Sequence, residues 1–127
     1  MAAYYLDTSA LVKAYAREAG TVWITNLVDP ARGHILYTVR LTGPEMVAAL
    51  GRKARRGELT VAASAGAIGV FRRSWRRRSY VVTATVALAE RAMDLAERHE
   101  LRGYDAVHLA AALTIADRQR GAGLSPL

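Results

Sequence analysis

Three acids stand where one kind of sequence pattern gives way to another: Asp7 in YYLDTSALVKAY, Glu45 in LTGPEMVAAL and Asp105 in RGYDAVHLAAAL. Each has a local explanation. Asp7 precedes a helix start and suits a cap, Thr42 and Glu45 have the spacing of a capping box, and an acid in the first turn, such as Asp105, complements the helix dipole. Their common placement near element ends adds something that no single position does, because a parallel sheet can bring all three toward one edge. In open α/β sheets that edge is where ligands bind. Carboxylates gathered there repel one another and lose solvation, and a hard divalent cation offsets both effects. Carboxylate and water ligands suit Mg²⁺ or Mn²⁺ rather than zinc. Such an ion activates water and offsets charge on a phosphodiester.

The elements that must position these acids follow from the apolar pattern. Tyr4, Tyr5 and Leu6 favour a strand, and the hydroxyls of Thr8 and Ser9 can cap a helix running through Leu11, Val12 and Tyr15. A helix over 20–27 is expected to turn Val22, Trp23, Ile24 and Leu27 toward a core before Asp29 and Pro30 break it. Residues 34–39 read as a second, largely buried strand. Thr42, Pro44 and Glu45 open a helix that carries Met46, Val47 and Leu50 inward and ends near Gly57. Residues 60–78 form a helix rich in small residues at first and strongly basic at its end, and 80–83 a third strand. Residues 85–100 form an amphipathic helix with Leu88, Ala92 and Leu95 on one side. The helix from Tyr104 to about Gln119 is apolar nearly all round between Ala106 and Ala116, as buried helices are. Alternating strands and helices predict an α/β fold with a mainly parallel sheet.

The 127 residues are enough for one domain with a sizeable core. Cysteine is absent, which removes disulfides, thiolate zinc sites and cysteine nucleophiles together. No apolar run reaches the roughly 18 residues of a membrane span, so a soluble cytoplasmic protein is expected. Lysine and arginine total 18 against 11 acids, a formal charge of +7 that favours a polyanionic partner, with nucleic acid foremost.

YLDTSALVK, the Glu45 segment and GYDAVHLAAAL together resemble the leading motifs of PIN-domain ribonucleases, particularly the VapC toxins of VapBC toxin-antitoxin pairs, over essentially the whole chain. The resemblance implies a PIN-like three-layer α/β/α sandwich, Mg²⁺- or Mn²⁺-dependent endoribonuclease activity, homodimerisation and inhibition by a cognate antitoxin. By motif match it assigns Asp7, Glu45 and Asp105 as catalytic, metal-binding carboxylates, with the Ser9 hydroxyl supporting Asp7. In one respect the chain departs from the family, which has another strand with a further acid after the buried helix, whereas this sequence stops at GLSPL. The expectation is a single domain over 1–127, shortened at its C-terminus, with weakened metal binding and reduced cleavage. Asp117 is no substitute for the further acid, being about 18 Å beyond Asp105 along the helix axis. His108 reads as a core residue.

Two basic clusters remain. Arg52, Lys53, Arg55 and Arg56 suit a helix C-terminus. Arg72, Arg73, Arg76 and Arg77 share a helix face and are candidates for RNA phosphates, with Trp75 alongside to stack on an unpaired base; the alternative is a solvated face. Two functions compete: a metal-dependent endoribonuclease, and a noncatalytic PIN-like module that binds RNA or an antitoxin without cleaving.

Overall fold

The apolar run before Asp7 forms β1 (Ala3–Tyr5), which pairs in parallel with β2 (Ile35–Val39) in the register Ala3 with Ile35, Tyr4 with Leu36 and Tyr5 with Tyr37. Leu6 N donates to Tyr37 O at 2.9 Å, so the pairing continues one residue past β1, directly up to Asp7. With β3 (Tyr80–Val82) the sheet order is β1-β2-β3. The structure is a computed structural model that describes residues 2–121. Around the strands run α1 (Thr8–Leu11), α2 (Thr21–Val28), α3 (Thr42–Arg55), α4 (Val61–Arg78), α5 (Val86–His99) and α6 (Gly103–Gly121). The alternation read from the sequence is therefore present, an α/β fold with its strand pair parallel. The expected missing strand concerns the end of the chain, which lies outside the described residues.

The chain divides into two compact units, Met1–Val81 and Val82–Leu127. In the first, Leu6, Leu11, Val12, Ala16, Leu27, Leu36, Met46, Leu50 and Phe71 make one apolar cluster. Met46 and Leu50, four residues apart, put one stripe of α3 into it, and Phe71 brings in α4. In the second, α5 buries Leu88, Ala92 and Leu95 and α6 buries Ala106, Ala110, Ala111 and Ile115. Small residues along α6 permit close helix approach. His108 is buried on α6, as a core histidine should be.

Two inward placements do not hold. Val22 and Trp23 are 76% and 66% exposed, while Ile24 and Leu27 are buried. Successive helical residues point about 100° apart, so an eight-residue helix with one apolar stripe cannot bury all four. Trp75, expected beside the arginines as a stacking platform, instead packs inward, stacked on Phe71 with ring centroids 5.5 Å apart. Its Nε1 donates to the buried Thr38 Oγ1 at 2.9 Å.

Candidate active site

The sharp exit from β1 sets the first acid. Asp7 is the N-cap of α1, extended at φ −79° and ψ 172°, and its Oδ1 accepts from Ala10 N at 2.9 Å. The same oxygen accepts from Ser9 Oγ at 2.9 Å. Asp7 thus performs the capping that its position before the helix start suggests, and the Thr8 and Ser9 hydroxyls, the other candidates for that cap, bind carboxylates instead. Ser9 thus stands where a residue supporting Asp7 should.

Glu45 reaches the same place from α3. The expected capping box is absent: α3 has no side-chain cap, and Thr42, within its first turn, turns its hydroxyl back to accept from Val39 N at 3.3 Å. Glu45 is thereby left to interact across the fold, and Thr8 Oγ1 donates to its Oε1 at 2.6 Å. The backbone beneath Glu45 is held from the other side. A Cβ on Gly43 would fall 2.8 Å from the Trp75 ring, so α3 approaches α4 as closely as a glycine allows. Asp7 and Glu45 are brought together at the carboxyl edge of the parallel pair. Tyr5, at the end of β1, registers both: burial first, then the charges of Asp7 and Glu45, hold its phenol protonated well above the ordinary tyrosine range.

Asp105 stands in the first turn of α6, on the second unit. Its carboxylate is 64% exposed and lies 3.9 Å from Arg102 Nε, an exposed pair that contributes little. Asp117 is a surface acid paired with Arg91 and Arg120 in the same unit. Arg72, Arg73, Arg76 and Arg77 are all exposed on α4, and none forms an ion pair among the described residues. Thr8 is the residue the sequence left without a role at the acids. Its contact with Glu45 spans 37 positions, beyond any local pattern.

Oxygen-only donors on two adjacent elements fit Mg²⁺ or Mn²⁺, which are held by one or two carboxylates together with water and substrate phosphate. Within neither unit do three His, Asp or Glu side chains of the described residues form a group able to hold a metal by itself.

A parallel strand pair with Asp7 just after its first strand and helices between strands defines an α/β protein. Residues 4–118 match the PIN domain family. Ribonuclease VapC45 and ribonuclease VapC49, both of Mycobacterium tuberculosis, are each 40% identical to this chain over 114 residues, covering 89% of it and 76% of their own length. The crystal structure of M. tuberculosis VapC20, a sarcin-ricin loop cleaving toxin, superposes with a TM-score of 0.60 at 19% identity, over 94% of this chain and 83% of that one. The chain belongs to the PIN-domain family, among its VapC ribonucleases.

Proposed function

We propose that this protein is a Mg²⁺- or Mn²⁺-dependent endoribonuclease, the toxin of a toxin-antitoxin pair, that hydrolyses RNA phosphodiester bonds in the cytoplasm and is restrained by a cognate antitoxin. The observation that carries the reading is the bond from Thr8, the residue directly after Asp7, to the Glu45 carboxylate, which ties the start of α1 to the first turn of α3. The VapC ribonucleases it is similar to support RNA as substrate and an antitoxin as partner. Self-association as a homodimer belongs to the same proposal. Among the described residues no helix is long and apolar enough to cross a membrane.

Asp7, Glu45 and Asp105 would hold the ion. A bound Mg²⁺ or Mn²⁺ supplies Lewis-acid chemistry, acidifying water and offsetting the charge that builds on a phosphodiester. The chain's own contribution is preorganisation. Ser9 and the Ala10 amide fix one oxygen of Asp7, Thr8 engages one oxygen of Glu45, and the Tyr5 phenol stays neutral beside both. The exposed arginines of α4 offer phosphate contacts, without the aromatic platform that Trp75 was expected to provide.

The test is cleavage of RNA with and without EDTA by wild type, Asp7→Asn and Asp105→Asn. The proposal expects EDTA to abolish cleavage and each substitution to reduce it by orders of magnitude. Equal activity in every sample would overturn it, and RNA binding without cleavage by the wild type would favour the noncatalytic module.

A further inference from the structure

Thr8 follows the N-cap of α1, but it is not needed to close that helix end, because Asp7 Oδ1 already takes the Ala10 amide. Its half-buried hydroxyl crosses instead to α3 and donates to Glu45 Oε1 at 2.6 Å, the short distance of a hydroxyl bound to a charged carboxylate. Ser9, next in the chain, donates to Asp7 Oδ1. Two consecutive hydroxyls therefore serve two different acids, one within the α1 turn and one reaching across the fold.

The backbone at Glu45 does not depend on that bond. Gly43 is seated against Trp75, Thr42 receives Val39 N, and Glu45 N donates to Leu41 O at 3.2 Å. What these contacts leave open is the direction of the Glu45 side chain, which has three rotatable bonds between the helix and its carboxylate. Thr8 acts on that side chain directly.

We propose that Thr8 is a positioning residue that orients the Glu45 carboxylate toward Asp7 before an ion arrives, an assignment that rests on the metal-dependent reading above. Groups that orient metal-binding carboxylates ordinarily change affinity or activity by about 10–100-fold when removed. Thr8→Val keeps the shape and removes the hydroxyl; Thr8→Ser keeps the hydroxyl.

The experiment measures Mn²⁺ affinity of the full chain by calorimetry, alongside melting temperature and RNA cleavage, for wild type, Thr8→Val, Thr8→Ser and Asp7→Asn. The proposal expects Thr8→Val to lose about tenfold or more in Mn²⁺ affinity, with Thr8→Ser close to wild type. A melting-matched Thr8→Val protein that binds Mn²⁺ as wild type does, while Asp7→Asn does not, overturns the role of Thr8 alone. Equal losses in Thr8→Val and Thr8→Ser also overturn it, since the hydroxyl would then not be the active element. Unchanged Mn²⁺ binding in both Thr8→Val and Asp7→Asn removes the metal reading and the Thr8 assignment together.

Discussion

Gly43 carries no side chain, and Trp75 occupies the space one would need. Gly43→Ala is therefore expected to destabilise the fold by about 1–3 kcal/mol, the usual cost of overpacking, as read by urea denaturation. Adding Trp75→Phe, which shrinks the ring, should make the double variant less damaged than the sum of the two single changes. Strict additivity would mean that the two residues do not press on each other. Individual residues also show where the sequence was readable. Asp7, Glu45 and Asp105 could be picked out because caps and first turns leave a local signature. Trp75 was misread because four arginines surround it, yet Ala67, Ile68, Phe71 and Trp75 recur at helical spacing and mark the inward stripe of α4. The bond from Thr8 to Glu45 has no such signature: it exists only once β1 and β2 have paired.

At the scale of elements, boundaries and types were legible wherever a cap or a break was written locally. Thr60 and Thr85 cap α4 and α5 by accepting from Ala63 N and Leu88 N, and Gly57, at φ +75°, ends the segment after α3. In the short α2 the expected inward set holds for Ile24 and Leu27 but not for Val22 and Trp23, because eight residues give too little periodicity to set the width of the buried stripe. The α5 and α6 pair is tied at its polar margin by Arg91, which donates to Thr114 Oγ1 at 3.2 Å and pairs with Asp117 at 3.0 Å. The hydrogen bond from Arg91, ahead of the contribution of Arg120, holds the Asp117 carboxyl below its ordinary value. A carboxyl with a lowered folded pKa contributes stability that is fully present above the unfolded value, about 4, and is lost as pH falls through the folded one. Asp117→Asn should accordingly melt slightly below wild type at pH 7, with the gap closing at pH below about 4. A gap that stays constant across that range would show that the ion pairing contributes nothing to stability. The effect is small because the group is exposed.

The whole molecule carries a formal charge of +7, with Arg72, Arg73, Arg76 and Arg77 exposed together on α4. If these four meet RNA phosphates, replacing them with Gln should weaken RNA binding and flatten its dependence on salt, by up to about 3 in the log–log slope at roughly 0.7 per contact on a single strand. Unchanged affinity and slope would leave the cluster a solvated face. Charge and family membership point to nucleic acid, but the claim on which everything else rests is that carboxylates and a divalent ion act together. The most direct measurement is to strip the protein with EDTA, dialyse the chelator away and restore Mn²⁺ stepwise while following RNA cleavage by wild type and Glu45→Gln. The account predicts that wild-type cleavage is absent at first and returns saturably with Mn²⁺, while Glu45→Gln stays inactive or needs far more of the ion. Full cleavage by the stripped wild type, or recovery of Glu45→Gln along the wild-type curve, would contradict it.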